Sequence, residues 1–277
     1  MTQRPPALEL GPESAGIAPG RGRLAGRKIM VVGGGQRVFD EASDPIGNGR
    51  AMCQLFAREG ARVAVADANG DAAAETLVRI TAEGGSGVTI VGDVRSEADV
   101  ARMFDEAEKA LGGIDGVVFN VGIFGGVGLG RPLSEWDEII DVNLRGAMLV
   151  GREAVARMGP RGSLVLTSSI AGYKPGSQMV AYDVSKAGLG GVMRFLAQVA
   201  AARDIRVNTV IPGLVDTPNG RSAGAGRPSR GKGENLPFRR QATGWEIAYA
   251  ALFFMSDESA YVTAQHLAVD CGLMGMT

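Results

Sequence analysis

Tyr182 and Lys186 stand four residues apart at the start of an apolar-periodic segment that runs to about residue 202, and Ser169 precedes the tyrosine by thirteen positions. On a helix, side chains at i and i+4 share a face, so the ammonium would lie beside the phenol. A free tyrosine has a pKa of about 10, and its use as a base near pH 7 means lowering that by roughly 3 units, about 4 kcal/mol. A positive charge fixed in a dry cleft supplies much of this. Ser169, at the end of the strand-like run 163–168, adds a hydroxyl that can bind a carbonyl or alkoxide oxygen. The three together suit proton transfer at an alcohol or ketone oxygen. A tyrosine and lysine at this spacing are also ordinary helix neighbours, so the pair acquires meaning only from the elements around it.

Those elements are the parts of an α/β domain. The chain has 277 residues, 45% of them hydrophobic, with a formal net charge of -1. That length buries a full core and lies just above the usual range for one domain. The balanced charge argues against nucleic acid as a partner, and no apolar run is long enough to span a membrane. Cys53 and Cys271 fit a reducing compartment, and neither they nor the single His266 has zinc-ligand spacing, so no metal site is expected. Residues 1–24 are rich in Pro, Gly and Arg and lack the apolar core of a signal peptide. They read as a flexible extension, 25–277 as the domain, and the protein as cytoplasmic.

Short, almost continuously apolar runs at 28–33, 62–66, 88–91, 116–120, 163–168, 205–211 and 266–270 are expected as parallel strands covered on both faces. Helical patterns fill the gaps, with expected caps at Ser96 with Asp99, Ser134 with Asp137, and Thr243 with Glu246. Strict alternation implies one doubly wound sheet of seven parallel strands with right-handed crossovers.

At the first strand-to-helix turn, Gly33, Gly34 and Gly35 follow the strand, and the next helix begins around Gly47, Asn48 and Gly49. Glycines there let the backbone approach a pyrophosphate, which a helix N-terminus then binds. The second strand runs into Asp67, where a carboxylate would hold a ribose 2'-hydroxyl. An added 2'-phosphate near Asp67 would be repelled, which favours NAD over NADP. Arg37 or Arg62 would reverse this preference by reaching the same pocket.

With these motifs in this order, the chain resembles the short-chain dehydrogenase/reductase family of the classical type, from about residue 26 to 274. The family's S-x12-Y-x3-K pattern matches Ser169, Tyr182 and Lys186, and the asparagine of its V-N-L segment matches Asn143. Asp93 and Val94 match the pair beside the adenine, and Pro212, Gly213, Val215 and Thr217 match the P-G-x-V-x-T segment beside the nicotinamide. The resemblance implies a Rossmann-type fold and a dehydrogenase in which Tyr182 takes the substrate proton while hydride passes to the nicotinamide. Lys186 would hold the ribose and depress the tyrosine pKa, Ser169 would orient the substrate oxygen, and Asn143 would hold a water. A small-molecule alcohol or ketone is the implied partner, and a homotetramer the implied assembly.

Three departures from the family pattern stand out. Gly34 and Gly47 are thirteen apart where the family has four, an insertion of nine residues at 36–44. It carries Asp40, Glu41 and Asp44, so it is expected to project outward or form a lip over the cleft. The usual N-N-A-G is Phe119, Asn120, Val121 and Gly122, and the usual D-G-G is Asp270, Cys271 and Gly272. The cysteine reads as a buried packing substitution. Asn120 and Gly122 remain cofactor candidates.

Segments after the fourth, fifth and sixth strands would build the substrate pocket, with Phe124, Tyr173, Met179 and Leu214 as wall candidates and 214–241 as a lid. Such walls suit an apolar alcohol or ketone. The lid's basic residues, Arg221, Arg227, Arg230, Lys232, Arg239 and Arg240, fit either an anionic substrate group or a solvated surface. Gly188, Gly190 and Gly191 in the helix after Tyr182 suggest close packing across a subunit interface. Two other readings stay open: an NADPH-dependent 3-oxoacyl carrier reductase, and a dinucleotide-binding sensor without turnover.

Overall fold

The computed structural model describes residues 9–40, 42–224, 233 and 235–276. The strands are β1 (Lys28–Val32), β2 (Arg62–Asp67), β3 (Ser86–Val91), β4 (Gly116–Phe119), β5 (Ser163–Thr167), β6 (Arg206–Pro212), β7 (Val215–Asp216), β8 (Ala242–Thr243) and β9 (His266–Val269). Seven of them form one parallel sheet in the order β3-β2-β1-β4-β5-β6-β9, while β7 and β8 pair separately. All seven runs expected from the sequence are present. The order reverses between β1 and β4, which opens a crevice at the carboxyl ends of the strands. β1, β4, β5 and β6 are buried almost throughout, as their uninterrupted apolar runs require.

The helices are α1 (Pro12–Ala15), α2 (Asn48–Arg58), α3 (Gly70–Ala82), α4 (Glu97–Leu111), α5 (Leu133–Ile140), α6 (Gly146–Arg157), α7 (Val180–Ala201), α8 (Pro218–Gly224) and α9 (Gly244–Met255). Helices α4, α6 and α7 bury Phe104, Val150 and Met193 against one face of the sheet. Helices α2, α3 and α9 bury Phe56, Ile80 and Leu252 against the other. No helix among the described residues is long and apolar enough to cross a membrane.

Two of the expected caps hold. Ser96 accepts from the Asp99 N–H, and Thr243 and Glu246 form a reciprocal capping box. Ser134 does not cap: α5 starts at Leu133 directly after Pro132, whose fixed φ of -58° sets the helix start ahead of the serine.

The N-terminal segment corrects the expectation of a loose extension for residues 9–24; residues 1–8 lie outside the described residues. Glu59, fully buried at the end of α2, accepts the backbone N–H groups of Arg21 and Arg23 and pairs with the Arg23 guanidinium at 2.6 Å. Leu24 is buried in the core, and Gly16 packs so tightly on Trp245 that a Cβ there would fall 2.1 Å from the indole. Burying a lone carboxylate is costly, so Glu59 holds the segment that satisfies it.

The glycines of α7 are explained largely within the chain. A Cβ on Gly188 would lie 2.8 Å from Leu144, and one on Gly190 would press on His266 and Tyr173. Only Gly191 faces open space.

Candidate active site

Helix α7 puts Tyr182 and Lys186 on its inward face, 8% and 3% exposed, so they are buried neighbours and not half-exposed ones. The Lys186 ammonium lies 5.8 Å from the Tyr182 ring centre. It donates to the carbonyl oxygens of Thr167 at 3.1 Å, at the end of β5, and Val121 at 3.3 Å, in the loop after β4. Burial pushes its pKa down to about 8, still on the protonated side at pH 7. Gly122 leaves room for this group, since a Cβ there would sit 3.1 Å from Nζ.

Ser169 opens a 3-10 turn, Ile170–Gly172, and its hydroxyl oxygen accepts from the Ala171 N–H at 3.2 Å. That leaves the O–H to be donated. Gly172 brings the turn onto the backbone of α7: a Cβ would stand 2.6 Å from the Ala187 nitrogen, one residue beyond Lys186. The serine and the tyrosine helix are thus fixed to one another by backbone contact.

Asn143, fully buried, lies in a π-helical turn, Asp141–Arg145, between α5 and α6. Its amide brackets Ile123, accepting from the N–H at 2.8 Å and donating to the carbonyl at 3.0 Å, and also donates to the Ser185 hydroxyl. π-turns inside helices are frequent at functional sites. Here the turn aims one side chain at both the loop after β4 and helix α7.

The first turn has the build of an anion cradle. Helix α2 begins at Gly47 without a side-chain cap or an acidic residue in its first turn, which leaves N–H groups at its positive end. Gly33 takes a φ of +81°, and Gly49 packs so closely that a Cβ would fall 1.9 Å from the Gly33 carbonyl oxygen. Asn120 donates to that same carbonyl at 3.1 Å. The buried Asn48 Oδ1 has no hydrogen-bond partner among the described residues. Asp67 ends β2 and accepts the N–H groups of Gly35 and Asn69. Arg62 is bound to the carbonyls of Ala110 and Leu111 at the start of β2, so it is spent away from Asp67. Arg37 lies in the insertion over the Phe39 ring.

The remaining candidates line the same crevice edge. Arg95 forks onto Asp93 and holds its carboxyl below the usual range, while Val94 is buried against Gly146. Pro212 ends β6, Gly213 approaches the Asp270 backbone so closely that a Cβ would meet it at 2.7 Å, and Val215 is buried in β7. Thr217 caps the start of α8 by accepting from Gly220. These residues fit a dinucleotide laid across the carboxyl ends of the strands.

The insertion projects outward, with Arg37, Val38, Phe39 and Asp40 exposed. Two of its acids are used internally: Asp44 accepts from the N–H groups of Phe39 and Asp40, and Asp40 from Ala42 and Ser43. Glu41 lies outside the described residues. Gln36 closes the base, accepting from Gly47 and donating to the Pro45 carbonyl.

Beside Tyr182 lies a cavity walled by Met179, Leu133, Trp136, Ile139 and Leu129, with the Arg131–Glu135 ion pair at its edge. Phe124 packs on the Tyr182 ring with centres 4.7 Å apart. The contribution of α5 is not anticipated by the sequence reading, although Leu133, Trp136 and Ile139 recur at helical spacing. Tyr173 is directed elsewhere, its hydroxyl 3.1 Å from His266 Nδ1, and Leu214 anchors β8 through its carbonyl. Of the basic residues in the segment expected as a lid, Arg221 pairs with Asp216 and Arg240 with Glu246. Arg227, Arg230 and Lys232 lie outside the described residues. Cys271 corrects another expectation: it is half-buried with a φ of +50°, a conformation that favours glycine.

Known proteins resemble this chain along most of its length. The family model described as Enoyl-(Acyl carrier protein) reductase matches residues 42–274. Glucose 1-dehydrogenase of Gluconobacter oxydans is 34% identical over 92% of this chain and 95% of its own. A 3-oxoacyl-[acyl-carrier-protein] reductase of Bos taurus is 35% identical over 89% of this chain and 98% of its own. Among solved structures, a short chain dehydrogenase from Burkholderia cenocepacia in complex with NADP has a TM-score of 0.81 at 27% identity, covering 90% of this chain and 98% of its own.

Proposed function

Because the chain belongs to the short-chain dehydrogenase/reductase family, we propose that it is an NAD(H)-dependent oxidoreductase interconverting an apolar secondary alcohol and its ketone. The observation that carries this reading is the buried Lys186 ammonium, fixed by the carbonyls of Thr167 and Val121 beside the Tyr182 phenol. A charge held in so dry a place favours the phenolate. Tyr182 takes the proton of the substrate hydroxyl in oxidation and returns it in reduction. Ser169 donates its O–H to the substrate oxygen, and Asn143 positions the loop after β4 together with α7. Bound nicotinamide supplies the hydride acceptor and donor. The N–H groups at the start of α2, with Gly33, Gly34, Gly47, Asn48 and Gly49, hold the pyrophosphate, and Asp67 takes the adenosine ribose. Lys186 holds the other ribose, Asp93 and Val94 flank the adenine, and Asn120, Gly122 and the 212–217 segment flank the nicotinamide.

NAD is preferred over NADP because Asp67 opposes a 2'-phosphate and Arg62 is engaged elsewhere. The bovine relative's name and the NADP-bound neighbour motivate a second reading, an NADPH-dependent 3-oxoacyl reductase. The substrate is apolar because Leu133, Trp136, Ile139 and Met179 wall the cavity and the charges in its lining, Arg131 and Glu135, are already paired. A homotetramer and a cytoplasmic setting complete the proposal. Exposed Val184, Phe195 and Val199 on α7 supply an apolar face for subunit contact, which sedimentation at micromolar concentration tests.

The function is tested by presenting apolar secondary alcohols with NAD or NADP and following reduced nicotinamide, beside the Tyr182→Phe variant. Turnover with NAD that the variant loses supports the reading. Turnover confined to NADPH and acyl thioesters would replace it with the second one.

A further inference from the structure

The insertion and the segment after β6 meet through one side chain. Arg221 of α8 forks onto Asp216 at 2.6 and 2.9 Å, and its Nη1 donates to the Ser43 carbonyl at 2.7 Å. Asp216 precedes Thr217 and belongs to β7, whose partner β8 leads into α9. Ser43 belongs to the loop that runs into Gly47, the cap residue of α2. Arg221 therefore joins the end of the cleft built for phosphate to the segment matched to the nicotinamide.

The loop needs such a tie. Its other described hydrogen bonds are internal or at its base, through Gln36, so they give it a shape without fixing where it stands relative to the cleft. Glycines at 35 and 47 flank it. An exposed ion pair alone contributes little, but here the planar fork spends three N–H groups on two partners in separate elements.

We propose that Arg221 is a positioning residue for the dinucleotide, tying the inserted loop to the 215–217 segment so that the cleft is strapped over its bound cofactor. The inference rests on the dinucleotide reading above. It predicts slower cofactor exchange than an untied loop would allow.

The test uses the full chain and NADH as probe. Stopped-flow fluorescence reads the NADH dissociation rate, and hydrogen exchange of the ligand-free protein reads the amides of residues 37–44. Arg221→Ala raises the dissociation rate about tenfold, the worth of one charge-assisted contact, and speeds exchange in the loop. Arg221→Lys keeps the charge for Asp216 but cannot fork to both partners, and recovers only part of the effect. Removing residues 37–44 gives the fast dissociation by itself, and adding Arg221→Ala to that deletion changes nothing further. An unchanged dissociation rate together with unchanged loop exchange in Arg221→Ala overturns the proposal. The deletion variant decides it in the same way if Arg221→Ala fails to fold. Failure of the unaltered protein to bind NADH sinks the dinucleotide reading itself, and is seen before any variant is made.

Discussion

Helix α7 and the inserted glycine loop hold their polar groups by opposite means. On α7 the polar groups are buried, and partners come from other elements: Thr167 and Val121 for Lys186, and Asn143 for Ser185. In the insertion the side chains are mostly exposed, and Asp40 and Asp44 satisfy the loop's own backbone. One region has its geometry set by the whole fold, the other largely by itself. The difference suits the roles proposed for them, a fixed proton path on α7 and a loop that admits and releases a ligand.

Removing the phenol oxygen should cost α7 its activity while leaving its packing intact. Tyr182→Phe keeps the ring against Phe124 and is expected to lower turnover about a thousandfold, within the usual range for a lost acid–base group, with melting temperature little changed. Steady-state assay beside thermal melting reads both. A comparable loss of stability would mean that the hydroxyl serves the fold.

Lys186→Met follows, with opposite signs for activity and stability. Its pKa in the folded chain is about 8 against an ordinary 10.5, so between those values the unfolded chain holds a proton that the folded chain has released. The charged lysine therefore weakens the ligand-free fold below pH 8, and that burden lifts as pH rises from 8 toward 10.5. The variant should lose turnover, melt higher than the parent at pH 7, and lose the advantage near pH 10. Melting scans across pH check it.

The loop's foot is the next target. Gly49→Ala would drive a methyl into the Gly33 carbonyl, 1.9 Å from the ideal Cβ, and should cost about 1 to 3 kcal/mol along with NADH affinity. Denaturant unfolding and NADH titration measure the two losses. The smallest effect lies outside both regions. Cys271→Gly relieves a left-handed backbone at φ +50° and should stabilise the chain by about 1 kcal/mol, again by denaturant unfolding.

Much of this was legible in the sequence because it is written locally. All seven strands stand out as apolar runs, and Ser96 and Thr243 announce their helices. Tyr182 and Lys186 declare a shared helix face by spacing alone. What the sequence concealed depends on distant partners. Glu59 collects Arg21 and Arg23 from a stretch whose Pro, Gly and Arg content reads as loose. Trp136 reaches the cavity from a helix whose orientation no local pattern fixes. Tyr173 was placed in the pocket by its position after β5, yet its hydroxyl meets His266, which β9 brings from 93 residues away.

These elements are proposed to form a working site for NAD(H) in spite of the insertion. Calorimetric titration of the ligand-free protein with NADH and NADPH, on the parent and on Asp67→Ala, tests it most directly. NADH should bind tightly and NADPH weakly, with a preference that relaxes about tenfold in the variant, the equivalent of one repulsive charge contact. Binding of neither cofactor by the parent would contradict it.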